Sequence, residues 1–119
     1  MAIEKILVVD DELLMRNFLV EVLKRRKFDV MAAENGKKAL SLLKDNEFDL
    51  VLTDMKMPDI TGIEVLKKVK EISPQTVVVI ITAYGSIESA VEAMRLGAFN
   101  YLIKPFSPDT IEAVIEKAD

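Results

Sequence analysis

The apolar residues of this chain switch five times from a short continuous run, typical of a strand, to a stripe with helical spacing. The clearest runs occupy residues 5–9, 48–53, 76–82 and 99–103. The stripes repeat largely at i, i+3, i+4 and i+7, and they comprise Met15, Phe18, Leu19, Val22 and Leu23; Ala39, Leu42 and Leu43; Val65, Leu66, Val69 and Ile72; Ile87, Ala90, Val91 and Met94; and Ile111, Val114, Ile115 and Ala118. Five strand-then-helix units predict an α/β fold with one parallel sheet and right-handed crossovers.

The strands and helix ends support this assignment. The runs at 48–53 and 76–82 lack clean alternation, as expected where helices cover both faces of a doubly wound sheet. Ser86 and Ser107 stand where helix N-caps are expected, Pro108 suits a first helical position, and Gly97 suits a left-handed helix end. At 119 residues, with no linker or internal repeat visible, residues 1–119 are predicted to form one domain.

Charged residues follow the runs at their downstream ends. Asp10 and Asp11 follow the first run, Asp54 follows the run at 48–53, Lys104 follows the last run, and Thr82 ends the run at 76–82. The downstream ends of neighbouring parallel strands share one edge of a sheet, where ligands bind in such folds. A single aspartate after a strand is ordinarily a helix cap or turn former. Carboxylates that converge at one edge, however, predict a pocket whose negative charge must be neutralised by a partner.

The chemistry of such a pocket follows from its charges. Two carboxylates roughly 5 Å apart repel by about 3 kcal/mol at an effective dielectric near 20. A lysine offsets part of this repulsion, and a hard divalent cation with oxygen ligands, preferably Mg²⁺, would offset more. Asp54 is then the candidate nucleophile, because a carboxylate can attack phosphorus to form an aspartyl phosphate.

Composition and charge exclude other classes of function. The chain has no cysteine or histidine, which excludes a thiol nucleophile, a Ser-His-Asp triad, a disulfide and an ordinary zinc site. The net charge of -4 argues against nucleic acid as a direct partner, and the basic run 24–27 fits the end of a helix predicted to finish after Leu23. No apolar run approaches the roughly 20 residues of a membrane span, and no signal peptide is visible, which predicts a cytoplasmic location.

Four segments resemble the receiver domains of two-component response regulators of bacteria, and the resemblance covers essentially the whole chain. They are Val9-Asp10-Asp11-Glu12, Asp54 to Asp59 leading to Gly62, Thr82-Ala83 and Lys104-Pro105-Phe106. The resemblance implies a flavodoxin-like (βα)5 domain with strand order 2-1-3-4-5, an order carried over from the family. In that order the site lies between the first and third strands, which end in the three acids.

The resemblance also implies a role for each residue of the pocket. Asp54 would accept a phosphoryl group from a sensor histidine kinase. Asp11 would bind Mg²⁺ directly, Asp10 largely through water, and Asp54 together with the backbone carbonyl of Lys56 would complete the protein ligands. The chain would catalyse only its own phosphorylation and dephosphorylation, and it is therefore predicted to be a signalling domain rather than an enzyme.

Further roles concern the phosphoryl group and the switch. Lys104 and Thr82 would contact the phosphoryl group, with the backbone amides of Lys56 and Ala83. Thr82 and Tyr101 would form the switch, the hydroxyl moving toward the phosphate and the ring turning inward. The Lys104–Pro105 bond would be a cis peptide. Each accessory residue also has a simpler interpretation: Tyr101 as half-buried packing, Pro105 as a strand terminator, and residues 57–62 as a turn before a helix.

The segment from Ala83-Tyr84-Gly85-Ser86 to Tyr101-Leu102 is similar to receivers of the nitrogen-regulator type, which are attached to ATP-driven transcription activators. This implies a longer protein with an ATPase and DNA-binding effector, since the chain has no GxxxxGK[ST] motif. It also implies an output surface on the fourth helix, fifth strand and fifth helix, and a homodimer that depends on phosphorylation. The bulk of Lys56 and Tyr84 predicts slow loss of the phosphoryl group.

Three other classes of protein stay open at this stage. An aspartate-nucleophile phosphatase requires a second acid, its general acid, two residues beyond the nucleophile, where this chain has Lys56. An FMN-binding flavodoxin-like protein binds phosphate with a loop after the first strand that is rich in hydroxyls and glycine. In this chain Asp10-Asp11-Glu12 follow the first strand and would repel a phosphate. A pseudo-receiver, used only for protein contacts, would keep the fold without needing the pocket.

Overall fold

The computed structural model describes residues 2–119, which form one parallel five-stranded sheet with helices on both faces. The strand order β2-β1-β3-β4-β5 is the flavodoxin-like order, so the predicted fold class is confirmed. In chain order the elements are β1 (Lys5–Val9), α1 (Leu13–Arg25), β2 (Asp29–Ala33), α2 (Gly36–Asp45), β3 (Leu50–Asp54), α3 (Gly62–Ile72), β4 (Val77–Thr82), α4 (Ile87–Arg95), β5 (Asn100–Ile103) and α5 (Pro108–Ala118).

The boundaries of β3 and α1 differ most from the sequence prediction, whereas β4 and β5 each start one residue later than the predicted runs. β3 starts at Leu50 rather than Phe48 and includes Asp54, because Asp54 pairs in register with Ile81 of β4. The backbone of the nucleophile candidate is therefore held by the sheet itself. α1 continues two residues beyond Leu23 to Arg25, so that Lys24 and Arg25 lie in its last turn, where the helix dipole favours positive charge.

The core consists of two layers, one on each face of the sheet. Residues of the central strands alternate between them: Leu7, Val9 and Val51 pack on the side of α2 and α3, while Ile6, Val8 and Leu50 pack on the side of α1 and α5. Every residue of β3 is buried. This explains why the central runs are continuously apolar, since both faces of each strand lie under helices.

Helix ends agree with the sequence signals at all but one position. The Ser86 hydroxyl accepts the Ser89 amide at 3.1 Å, and Gly97 after α4 has φ 105°, which a glycine adopts without strain. Ser107 precedes Pro108 at the start of α5, but its hydroxyl makes no capping bond. The Thr110 amide donates instead to the Ser107 carbonyl, so Ser107 is the predicted N-cap residue of α5 but its hydroxyl does not form the expected cap.

The apolar stripe of α4 does not face the core. An apolar stripe on a helix ordinarily packs inward, yet Ala93 is the buried residue of this helix and Ile87 is 84% exposed. Ile87, Val91 and Met94 lie at the surface together with the exposed Ile103 of β5. These four residues are called the α4–β5 face below. Between residues 2 and 119, no helix combines the length and apolar character needed to cross a membrane.

Candidate functional site: an acidic pocket at the sheet edge

Three carboxylates converge at the downstream edge of β1 and β3. Asp10 follows β1 directly, Asp11 comes next, and Asp54 ends β3. The two strands are neighbours in the sheet with Val9 opposite Thr53, so their ends coincide. One carboxylate oxygen from each acid lies within 4.8 Å of the others. The structure thus brings together the three acids that the sequence singled out.

Asp10 is fixed from three directions. Its carboxylate accepts hydrogen bonds from the Glu12 amide at 2.9 Å and from the Lys104 ammonium at 3.0 Å. Its backbone carbonyl accepts a hydrogen bond from the Arg16 guanidinium at 2.8 Å. The residue is 0% exposed. A buried carboxylate of this kind requires such partners, because desolvation otherwise disfavours its charge. Arg16 was not identified from the sequence, since a single arginine on a helix carries no distinguishing signal.

Lys104 reaches the acids from the other side of the pocket. It follows β5, and its amide donates to the Thr82 carbonyl at 2.8 Å, which aligns it with the end of β4. Its Nζ atom lies 3.0 Å from Asp10 Oδ2 and 3.7 Å from Asp54 Oδ2, and its side chain is 11% exposed. The peptide bond from Lys104 to Pro105 is cis.

The charges of the pocket are not balanced by its lysine. Burial, and then the neighbouring charge of Asp10, raise the pKa of the Asp54 carboxyl from 3.8 to about 6, although Lys104 acts in the opposite direction. Negative charge therefore remains in excess around Asp54. An all-oxygen donor set with excess negative charge suits a hard divalent cation such as Mg²⁺. Asp10, Asp11 and Asp54 fit such an ion by position and chemistry.

The acids open into a cavity of about 320 Å³. It is lined by Asp11, Glu12, Asp54, Lys56, Thr82, Ala83, Tyr84 and Lys104. A larger groove of about 650 Å³ lies between the C-terminal ends of α2 and α3, at the opposite edge of the sheet. The chemistry belongs with the smaller cavity, because the carboxylate cluster and Lys104 meet only there within residues 2–119.

Thr82, Lys56 and Tyr84 form the wall and mouth of this cavity. The buried Thr82 hydroxyl accepts the Tyr84 amide at 3.1 Å, so its proton can be donated to another group. The Lys56 ammonium lies 4.9 Å from the centroid of the exposed Tyr84 ring, within the range of a cation–π interaction. Both side chains line the same cavity as Asp54.

Tyr101 lies outside the cavity lining. Its ring is half-buried and packs against the core layer that includes Ile80 and Ala93. Its hydroxyl lies 2.6 Å from the Ser89 hydroxyl of α4, which links β5 to α4. Ser89, unlike Tyr101, could not be identified from the sequence, because a serine within a helix has no pattern that predicts a partner on a strand.

Comparison with known proteins identifies the family. The model of the response regulator receiver domain matches residues 6–116. Regulatory protein AtoC of Escherichia coli K12 is 42% identical over 98% of the chain, which spans 25% of the length of AtoC. Transcriptional regulatory protein ZraR of the same organism is 43% identical over 95% of the chain, which spans 26% of the length of ZraR. The chain therefore corresponds to about a quarter of these relatives.

A solved structure agrees with this result. The beryllofluoride-activated NtrC4 receiver domain dimer is 34% identical and superposes with a TM-score of 0.87, over 97% of this chain and 98% of that one. The sequence-based resemblance to receivers, including those of the nitrogen-regulator type, is thereby confirmed. Because both its matched residues and its fold are those of receivers, the chain belongs to the response regulator receiver domain family.

Proposed function

We propose that Asp54 accepts a phosphoryl group from a sensor histidine kinase. A lone pair of an Asp54 carboxylate oxygen attacks phosphorus, the bond from phosphorus to the donor imidazole nitrogen breaks, and the imidazole takes up a proton. The observation that supports this most is the position of Asp54, between two further carboxylates and Lys104 at the floor of an open cavity. Mg²⁺ bound by Asp10, Asp11, Asp54 and the Lys56 carbonyl would offset negative charge on the transferring group.

The remaining pocket residues bind the product in this proposal. Lys104, whose Nζ atom lies 3.7 Å from Asp54, pairs with a phosphoryl oxygen. The Thr82 hydroxyl and the backbone amides of Lys56 and Ala83 donate to the other oxygens. Thr82 must give up its bond from the Tyr84 amide if it moves toward the phosphoryl group. Occupation of the pocket is thereby coupled to the loop before α4.

Treatment with acetyl phosphate and Mg²⁺, followed by intact-mass measurement, tests the assignment. The unsubstituted chain is expected to gain one phosphate, and the Asp54→Ala variant none. Asp29→Ala is the matched control, because Asp29 is an exposed aspartate at the start of β2. A phosphate gain that persists in Asp54→Ala, or no gain in the unsubstituted chain, would reject Asp54 as the acceptor.

The α4–β5 face is the proposed output surface, used for a homodimer and for an effector that regulates transcription. Its four apolar residues are exposed although those of α4 have the spacing of a buried stripe. The related NtrC4 receiver is a dimer in its beryllofluoride-activated form.

Sedimentation of the samples treated with acetyl phosphate is expected to show a dimer of the unsubstituted chain. Val91→Glu is expected to weaken this dimer and still to gain phosphate. A monomer at all concentrations would exclude the homodimer.

Tyr84→Ala is expected to accelerate phosphate loss by several-fold. The cation–π contact between Lys56 and Tyr84 holds both side chains over the approach that an attacking water needs, and such contacts contribute roughly 0.5–1 kcal/mol at exposed sites. The decay of phosphorylated protein, followed by intact mass, measures the rate. Tyr84→Phe keeps the ring and is the control, expected to decay at the unsubstituted rate. Unchanged decay in Tyr84→Ala would show that the ring does not shield Asp54.

A further inference from the structure

Asp59 joins the loop after β3 to the start of α2. Its two carboxylate oxygens accept the backbone amides of Gly36 at 3.1 Å and Lys37 at 2.8 Å, and one of them also accepts the Ile60 amide at 2.8 Å. The residue comes from residues 55–61, here called the β3–α3 loop, whereas the start of α2 lies more than 20 positions earlier in the chain. A residue of one loop thus caps a helix elsewhere in the fold.

This contact is reinforced by packing. A Cβ atom at Gly36 would collide with the Cγ1 atom of Ile60, so the Ile60 side chain rests directly on the helix start. Although desolvation acts in the opposite direction, the hydrogen bonds from Lys37, Ile60 and Gly36 lower the pKa of the Asp59 carboxyl below its usual value. Asp59 therefore bonds to α2 as a carboxylate at neutral pH.

The β3–α3 loop is held at both ends. At its start, Met55 donates its amide to the Ile81 carbonyl, and its own carbonyl accepts the Gly62 amide. At its far end, Asp59 and Ile60 are held by α2. Lys56 lies between the two attachments, so the direction of its backbone carbonyl depends on both of them.

We propose that Asp59 is a positioning residue for divalent-cation binding, which acts by holding the β3–α3 loop against α2 so that the Lys56 carbonyl faces the pocket. This inference rests on the proposed role of Lys56 as a metal ligand. Residues that orient ligands without touching the metal typically change its affinity by about 10- to 100-fold when replaced. Since coupling between two sites is reciprocal, cation binding should also steady the contact between Asp59 and α2.

The same helix supplies a matched control. The Asn35 side chain accepts the Lys38 amide at 2.8 Å, so it caps the same N-terminus from the chain that leads into α2. Asn35→Ala removes a cap from α2 and leaves the Asp59 bonds in place. If Asp59 only stabilises α2, the two substitutions should have equal effects on Mg²⁺ affinity. If Asp59 positions Lys56, Asp59→Ala should weaken Mg²⁺ binding more than Asn35→Ala.

Mg²⁺ titration followed by backbone-amide NMR measures the affinity of each chain. Asp59→Ala is expected to raise the dissociation constant for Mg²⁺ about tenfold. Asn35→Ala is expected to change this constant by less than about twofold. Asp59→Asn keeps an acceptor oxygen, and its dissociation constant is expected to lie between the other two. A change of less than about threefold in Asp59→Ala, or an equal change in Asn35→Ala, would overturn the proposal. Failure of the unsubstituted chain to bind Mg²⁺ would instead reject the proposed metal site itself, and this inference with it.

Hydrogen exchange gives a second readout that does not depend on phosphorylation. Mg²⁺ is expected to slow exchange of the Gly36 and Lys37 amides in the unsubstituted chain and in Asn35→Ala, because a steadier loop keeps Asp59 on both amides. Asp59→Ala should lose this response to Mg²⁺. Exchange at these two amides that is insensitive to Mg²⁺ in the unsubstituted chain would overturn the coupling.

Discussion

Replacing Asp54 with asparagine is expected to raise the free energy of unfolding of the metal-free chain by about 2–3 kcal/mol at pH near 8. Burial and the charge of Asp10 raise the pKa of Asp54 from 3.8 to about 6. Each tenfold change in an acid dissociation constant corresponds to about 1.4 kcal/mol, which here favours the protonated carboxyl in the folded state. Asparagine has the shape of that protonated acid and carries no charge, so the variant avoids the unfavourable ionisation.

The sign of the pH dependence follows from the raised pKa. The folded chain holds the Asp54 proton more tightly than the unfolded chain, so this contribution to stability is present in acid and is lost as pH rises from about 4 to about 6. The Asp54→Asn variant has no such group. Its advantage should therefore be small near pH 4 and largest above about pH 7. Urea denaturation with a chelator, followed by circular dichroism, measures both chains across this range.

Two further measurements distinguish this effect from a general gain in stability. Asp29→Asn, at an exposed position on β2, is expected to change the free energy of unfolding by less than about 0.5 kcal/mol. Mg²⁺ at about a hundred times its dissociation constant should stabilise the unsubstituted chain by about 2.7 kcal/mol, and the variant by less. Equal stability of the two chains at pH 8, or a difference that does not vary with pH, would contradict the prediction.

Lys104→Met is expected to have the opposite effect, a loss of about 3 kcal/mol in the free energy of unfolding of the metal-free chain near pH 7.5. The ammonium lies within 4 Å of two carboxylates, and Asp10 among them is fully buried. Removing one partner of a buried pair leaves an uncompensated charge, which is more damaging than the pair is stabilising. Methionine preserves most of the length and apolar bulk of the lysine stem.

A double-mutant cycle tests the cause of this loss. Lys104→Met should be less damaging in the Asp54→Asn background, with a coupling free energy of roughly 1–3 kcal/mol, because one of the two carboxylates that the lysine neutralises has been removed. Lys67→Met, at an exposed position of α3, serves as the control for removing a lysine charge. An identical loss in both Asp54 backgrounds would mean that the Lys104 charge acts through Asp10 alone and does not neutralise Asp54.

Most of the fold and the pocket could be predicted from the sequence, because they depend on local signals. Strand runs and helical stripes are visible within about ten residues each, and parallel pairing places all downstream strand ends at one edge. The position of Asp10, Asp11, Asp54 and Lys104 after their runs placed them at this edge, and the strand order carried over from the family placed the three acids on neighbouring strands. The pocket was therefore predictable even though its members are up to 94 positions apart.

The features that escaped prediction depend on where whole elements pack. The α4 stripe has the spacing of a buried face, and only the tertiary placement of α4 leaves Ile87 and Val91 at the surface. Asp59 looks like a turn residue after Pro58, and its bonds to Gly36 and Lys37 require α2 to be nearby.

The bond between Ser89 and Tyr101 has a consequence for the order of events in the molecule. Because the tyrosine hydroxyl is held by α4, an inward rotation of the ring separates it from Ser89 unless the helix moves with it. A state in which only one of them has moved lacks a hydrogen bond, which contributes about 1 kcal/mol. If Tyr101 acts as the proposed switch, such halfway states are disfavoured by about fivefold, and we expect the ring and the helix to change position together.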